Sequence, residues 1–599
     1  MQKRSVSFIN SWRRNMSRDS QISVIKSIAA TLLLWFALAA SLGQAQTSEY
    51  GQFAPPDAFE NGSSLAYYGS ENEWSRRQFT AERADALYNR RGQRQLLLIL
   101  DGRPNDAIKT CRKYLKADPN DLESLFTMAV AHSQLGNADA ALATMQQALT
   151  AGLPFERFVA GPRDLLSPLT STTAFQDYLA DHPVRLLHGP MLGAVTDTAA
   201  RVWLRTADEG TVELSIFAAD QGSAPIQTAV GRSLRHDDYT AVLKVTGLQP
   251  DTRYSYDVSV DGKSCTPHPR PTFHTFPKTG SAARFRVAFG GGAGYTPHHE
   301  RMWDTILSFG PAATLLLGDN VYIDLPDQPG PLHRYTYYRR QSRPEFRRLV
   351  GSVPTFAIWD DHDAAIDDVW LGPYPDRPSW KPAMLSLFKQ NWANPAYGNR
   401  QWPGCWFKMA IADVDFFMLD CRNYRTNPFA DQRTMLGPAQ KAWLLRELKA
   451  SRATFKIVAS SVPWAPGAKP GSRDTWDGFA QEREEIFSWL EQNRIEGVVL
   501  VSADRHRSEA WKIERPHGYP LYDLMSSRLT NIHTHDLVEG ALFSYNDKCS
   551  FGLLNIDTTG EDPELTYRII NIDGQEIHSL PLRRSQLTFT TAAEPASND

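Results

Sequence analysis

The residues of this chain best suited to chemistry are aspartates and histidines, and they gather at three places. The stretch AIWDDHDAAIDD, Ala357 to Asp368, puts five carboxylates and one histidine into nine residues directly behind the apolar run PTFAIW. LLLGDNVYID brings Asp319, Asn320, Tyr322 and Asp324 behind a second apolar run, and VVLVSADRHRSE brings Asp504 and His506 behind a third. Carboxylates next to a buried strand are costly unless something compensates them, and AIWDDHDAAIDD contains no lysine or arginine. Arg422, Arg425 and Arg507 could compensate from elsewhere in the chain. Divalent ions are the more economical answer, because each neutralises two charges and accepts oxygen and nitrogen donors. Nucleophilic-serine chemistry is excluded on the same reading, since GGGAGY and SSVPW lack a Gly-x-Ser-x-Gly elbow.

Buried strands of an α/β fold must position these groups. RFRVAFGGG, ATLLLGDN, PTFAIWDDHD, DFFMLDCRN, FKIVASSVPW and GVVLVSADRH are short apolar runs that each end in Gly, Asp, Asn or His. Helical stretches such as GPAQKAWLLRELKAS and AQEREEIFSWLEQN lie between them, and loops after strand ends are where ligands gather in layered α/β folds. FGLLNIDT and ELTYRIINIDG read as antiparallel strands that close a second sheet. Ahead of this region, AARVWLRT, TVELSIFAA, YTAVLKVTGL and YSYDVSVDG alternate in the manner of a β-sandwich, separated by Asp, Gly and Pro turns. GLQPDTRYSYDVSV is similar to the later strands of a fibronectin III-like module.

A helical repeat comes earlier still. Asp121 to Pro154 spans 34 residues, and shifting it back by that length lays Gly136 on Gly102 and Ala141 on Ala107. This resembles a pair of tetratricopeptide repeats. Two such units bury little surface alone, so they are expected to dock on a neighbour as a structural appendage; the alternative is a face for a protein partner. At the N-terminus Arg13, Arg14, Arg18 and Lys26 precede the apolar Ile28–Gly43, with small residues at Gly43 and Ala45. That order describes a secretory signal peptide, or an uncleaved membrane anchor, and implies export to the periplasm or cell exterior. The net charge of −3 offers no nucleic-acid platform, and five scattered cysteines form neither a zinc framework nor a disulfide scaffold.

The order GD-x-x-Y, W-D-D-H-D and S-x-D-x-H resembles the alkaline phosphatase D-type branch of the calcineurin-like metallophosphoesterases. FMLDCRNYR, MLGPAQKAWLLREL, VASSVPW and TWDGFAQEREEIF also look like blocks of that family, and the similarity covers about Leu186 to Asp573. It implies a four-layer α/β/β/α sandwich with metals at the strand ends. By motif, Asp319 would bridge metals, while Tyr322, Asp361, Asp504 and His506 would ligate them. His362 would contact the phosphate and assist the leaving group, making His362 and Asp319 the catalytic pair. Asp360 and Asn320 are candidate ligands or supports of ligands. The branch ends its first strand in Gly-Ser-Cys, with the cysteine on iron, whereas this chain has Gly292 there. The site then binds a different metal set, or His298 or His299 in YTPHHERMW contributes. Gly291 and Gly292 are also candidates for a phosphate-cradling nest. His533 and His535, in NIHTH, read as a substrate-side loop rather than a metal pair.

These readings combine into an exported, metal-dependent phosphoesterase acting on phosphate mono- or diesters. Its cofactors would be two divalent ions (Ca, Mn, Zn or Fe). The expected organisation is a signal peptide at 1–45, a polar stretch at 46–73, tetratricopeptide-like helices at 74–185 and an immunoglobulin/fibronectin III-like sandwich at 186–279. The catalytic domain follows at 280–585, with a disordered tail at 586–599. The competing reading is an envelope scaffold that binds a protein partner through the repeats and has lost catalysis; the intact Asp319, Asp361, His362, Asp504 and His506 argue against it.

Overall fold

The structure, a computed structural model, describes residues 78–218 and 224–589. The expected signal peptide, the polar stretch and most of the expected tail lie outside the described residues. The start of that tail is structured: Arg584–Leu587 form a short 3-10 helix. Its apolar Leu587 is fully buried, and Arg584 pairs with Glu496 at 3.0 Å, so this turn belongs to the domain before it. Among the described residues, no helix is long and apolar enough to cross a membrane.

The helical segment begins where capping residues allow it. Thr80 accepts from the Arg83 amide at the start of Ala81–Ala86, and Asp121 accepts from the Ser124 amide at the start of Leu122–Gln134. Helices Tyr88–Leu100, Pro104–Ala117, Leu122–Gln134 and Ala138–Thr150 pack successively. Gly102 (φ +73°) and Gly136 (φ +70°) end the first helix of each pair in the left-handed conformation that the matching turns require. The core of the repeats is not self-contained. Leu332 and Tyr335, from the distant helix Pro331–Gln341, are part of it. The buried Glu123 receives Arg157 at 2.8 and 3.0 Å and the Tyr335 hydroxyl at 2.6 Å. The expected docking is therefore observed, with a helix of the α/β region as the neighbour.

The β-rich segment forms two antiparallel sheets. One joins β1 (Leu186–Gly193), β2 (Ala199–Thr206) and β5 (Thr240–Thr246). The other runs in the order β4 (Gln227–Ser233), β3 (Gly210–Ala218), β6 (Arg253–Val260), β7 (Lys263–Ser264), with β8 (Thr272–His274) also on β6. Trp203 donates to Gln390 O at 2.8 Å and Tyr256 to Gly351 O at 2.6 Å, which ties the segment to the domain behind it.

That domain is built on two facing mixed sheets. The first has the order β11 (Thr355–Ile358), β10 (Ala313–Leu317), β9 (Arg284–Gly290), β19 (Ser550–Asp557), β20 (Glu564–Asn571), β21 (Glu576–Arg583). The second has the order β12 (Phe407–Ile411), β13 (Val414–Met418), β14 (Phe455–Ala459), β15 (Val498–Ser502), β17 (Leu521–Ser526), β16 (Ser508–Ile513), β18 (Phe543–Tyr545). β9, β10 and β11 pair in parallel, as do β13, β14, β15 and β17. Parallel neighbours require crossovers, and helices such as Met302–Ser308, Gly437–Ala450 and Ala480–Gln492 supply them. The sheets meet where Tyr567 of β20 donates to Met525 O of β17 at 2.7 Å. The strands of the parallel cores are buried along their length or, in β9, at the C-terminal half.

Candidate metal centre

The segments that follow β10, β11, β15 and β17 line one cleft of about 320 Å³. Asp319, Tyr322, His362, Asp504 and His506 line it together, although they come from segments far apart in the chain. Asp361 joins Asp319 and His362 in a group whose donor atoms lie within 4.8 Å of one another. The backbone is strained where it delivers them. Asp319 (φ +51°), Asp324 (+53°), Asp368 (+55°), Asp504 (+71°) and His506 (+49°) all adopt the left-handed region, which costs a non-glycine residue about 1 kcal/mol or more. The strand ends turn sharply there so that side chains, not backbone, face the cleft.

Hydrogen bonds then divide AIWDDHDAAIDD into distinct tasks. Asp363 accepts from the amides of Asp360, Asn320 and Val321 at 3.0–3.2 Å and so locks the β10 and β11 loops together. Asp360 points away from the cleft to Arg422 (2.5 Å) and Ser461 (2.7 Å). Arg422 also holds Asp474 at 2.6 Å and lies 3.7 Å from Asp361. Asn320 donates to Ile358 O at 2.8 Å and to Asp363. Asp360 and Asn320 are thus supports of the loops. Asp361 accepts from the Asp368 amide at 2.7 Å, and with Asp367 and Asp368 it forms a second close group of oxygen donors.

Burial pushes Asp319 well above the usual carboxylate range; His362 opposes this, while Asp361, Asp360 and Asp363 add to it. Burial likewise raises Asp360 and Asp363 to about 7 each. For Asp361, Arg422 and His362 outweigh burial and hold the carboxyl low. Burial opposes a charge on His362, yet Asp324, Asp319 and Asp361 raise it well above its ordinary value. His506 is driven well below its ordinary value by burial and by His535 and His533.

Tyr322 joins two of these groups. Its hydroxyl donates to Asp319 Oδ2 at 2.9 Å and lies 2.9 Å from His506 Nε2, while Asn531 Nδ2 donates to it at 2.8 Å. Buried Asp319 Oδ1, Asp504 Oδ2 and His506 Nδ1 have no hydrogen-bond partner among the described residues. Unpaired carboxylate oxygens and an unpaired imidazole nitrogen in one cleft fit cation ligation, because bare donors of that kind are otherwise costly to bury.

Some sequence candidates lie elsewhere. His299 Nδ1 is 3.1 Å from Thr530 O and 3.4 Å from Cys549 Sγ, and neither His298 nor His299 lines the cleft or joins a donor group. At the expected phosphate nest, the Gly291 amide donates to Ser526 O and that of Ala293 to Asp319 O. Glycine is needed there for space: a Cβ on Gly292 (φ +67°) would lie 2.9 Å from Arg528 N and 3.2 Å from His506 Cδ2. Asp324 belongs to the strand-end cluster read from the sequence, which assigned it no role. Its carboxylate is 2.6 Å from His362 Nδ1 and is paired with Arg90 of the helical segment. Gln93 of the same helix donates to Tyr322 O at 2.5 Å. The asymmetric signal was present in GDNVYID, but the partner in the repeats was not.

The chain is similar to known proteins in sequence and in fold. Residues 287–548 match the PhoD-like phosphatase family, residues 98–153 a tetratricopeptide repeat, and residues 183–278 a domain of unknown function, DUF7800. Alkaline phosphatase D of Bacillus subtilis (strain 168) is 30% identical over 116 residues, 16% of this chain and 20% of that protein. The matched stretch is therefore about a fifth of the curated relative. The solved structure of PhoD superposes with a TM-score of 0.56 at 14% identity, covering 67% of this chain and 91% of that one, so the two share a fold. The strand-end donors described above thus lie within the segment, residues 287–548, that matches the PhoD-like phosphatase family, behind a segment that matches a tetratricopeptide repeat.

Proposed function

We propose that this chain is an exported, metal-dependent phosphoesterase that hydrolyses phosphate mono- or diesters. The observation that carries this reading is the convergence of Asp319, Asp361, His362, Asp504 and His506 on one cleft within a PhoD-like domain. Asp319, Tyr322, Asp361, Asp504 and His506 are the residues that would hold two divalent ions. When bound, such ions supply charge that offsets the ester oxygens and activates water. His362 keeps Nδ1 on Asp324, and its Nε2, 3.7 Å from Asp367 Oδ1, would donate to the departing oxygen as a protonated general acid. Arg83 and Arg505 line the cleft and would meet phosphate oxygens. Gln78, Leu87 and Asn89 wall one side and limit the entry of bulk water.

The basic-then-apolar N-terminal segment supports export to the periplasm or cell exterior. The two antiparallel sheets of residues 186–279, with Tyr254 accepting from the Gln249 amide at 2.8 Å after the Pro-Asp turn, support a fibronectin III-like sandwich. The helical segment lends Arg83, Leu87, Asn89 and Arg90 to the cleft, which supports a role for it beside the site rather than as a separate scaffold. The test is hydrolysis of chromogenic phosphate mono- and diesters by protein stripped of metal and reloaded with Ca²⁺, Mn²⁺, Zn²⁺ or Fe. Activity is expected to require metal and to fall at least about 100-fold in Asp319→Asn and His362→Ala. Undiminished turnover in both variants would sink the site assignment.

A further inference from the structure

Three imidazoles meet at one edge of the cleft. His506 follows β15, while His533 and His535 lie on the loop after β17, and one ring nitrogen of each falls within 4.8 Å of the others. The ring centroids are 5.3 Å apart from His506 to each loop histidine and 4.7 Å between the two. His506 is 5% exposed, and its Nδ1 has no hydrogen-bond partner. The loop is held in place by its own backbone. Thr534 Oγ1 donates to His506 O at 3.1 Å, Asn546 Nδ2 to His535 O at 2.9 Å, and the His533 amide to Asn531 Oδ1 at 3.0 Å. No carboxylate pairs with His533 or His535 among the described residues, so no ion pair explains the cluster.

We propose that His533 and His535 join His506 in holding one of the two divalent ions, a transition metal, through neutral ring nitrogens. Imidazole favours zinc, iron, cobalt or nickel, whereas carboxylate oxygens suit calcium, magnesium or manganese. A tetrahedral ion with bonds of about 2.0–2.1 Å needs its nitrogens about 3.4 Å apart, and rotation of the two loop rings covers the difference. Three protein ligands leave a fourth position open toward the cleft. The loop that read as a substrate-side feature is thus a metal-binding strap. This inference rests on the proposed metal site but not on hydrolysis.

The test is metal binding by the full chain, independent of turnover. Metal-free protein would be titrated with Co²⁺ and then Zn²⁺, following the visible cobalt bands and the bound metal per chain. The wild type is expected to take up one equivalent of cobalt with tetrahedral-type absorption that zinc displaces and excess Ca²⁺ does not. The double variant His533→Ala/His535→Ala should lose that equivalent, or bind it about 100-fold more weakly. His298→Ala, which removes an exposed imidazole outside the cleft, should match the wild type. Thermal melting of the metal-free proteins checks that the double variant folds, and both loop histidines lie outside helices and strands. Equal cobalt stoichiometry, affinity and absorption in the double variant would overturn the proposal, as would a wild type that binds no cobalt. Failure of hydrolysis with an intact cobalt site would instead count against the phosphoesterase reading alone.

Discussion

His362 shows how a single side chain acquires a chemical role from its neighbours. Its ring is tuned by Asp324, 2.6 Å from Nδ1, and by Asp319 and Asp361, so the protonated form persists well above the ordinary pH. A general acid must carry its proton, so activity is lost as pH rises through the raised pKa. Removing the Asp324 charge lowers that pKa, and the alkaline limb of the pH–rate profile should move to lower pH in Asp324→Asn. The same variant should cut kcat by about 10- to 100-fold with little change in KM. A profile that stays in place while activity falls would show that Asp324 acts only in folding. Asp360 and Asp363 look alike in sequence, yet one is anchored to Arg422 and the other to three backbone amides. Five clustered acids were legible as a charge problem and the motif singled out Asp361; that Asp360 turns to Arg422 while Asp367 and Asp368 line the cleft was not legible, because it depends on the turn after β11.

At the scale of elements, the helix Tyr88–Leu100 does more than close a repeat. Its Arg90 neutralises Asp324, and its Gln93 binds Tyr322 O, so one helix buttresses both the general acid and the tyrosine beside Asp319. Both Arg90 and Asp324 are almost fully buried. Truncating one partner of a buried pair leaves the other charge unpaired and typically costs about 3–5 kcal/mol. Arg90→Ala should therefore lower the melting temperature and reduce turnover together, measured by calorimetry and ester hydrolysis. Unchanged melting and turnover would mean that Asp324 finds another partner. The repeat itself was visible from its period and glycines. Its contact with the cleft was hidden, because residues 90 and 324 are brought together only by docking.

The whole molecule carries the electrostatic strain of the cleft. Without cations, Asp363 rises from its ordinary 3.8 to about 7, and burial raises Asp319 in the same direction. A carboxyl whose folded pKa is raised binds its proton more tightly in the folded state, so folding is favoured at low pH and weakens as pH rises from about 4 to 7. Metal-free protein should accordingly melt at a lower temperature at pH 7 than at pH 5. Metal-loaded protein should lose most of that slope, since bound cations offset the ionised carboxylates. Parallel pH–melting curves with and without metal would contradict this account.

The sequence by itself determined the buried strands, the helical repeat and the donors at three strand ends, because periodicity and strand-end polarity are local properties. It also singled out Asp319, Asp361, His362, Asp504 and His506 as residues of one chemistry. Only the tertiary structure decided that Asp360 turns to Arg422, that His299 faces Thr530 and that Gly292 leaves room for His506. It alone brought Arg90, His533 and His535 to the cleft. Those outcomes depend on which loops meet at the mouth of two facing sheets, and no spacing within a single segment encodes that meeting.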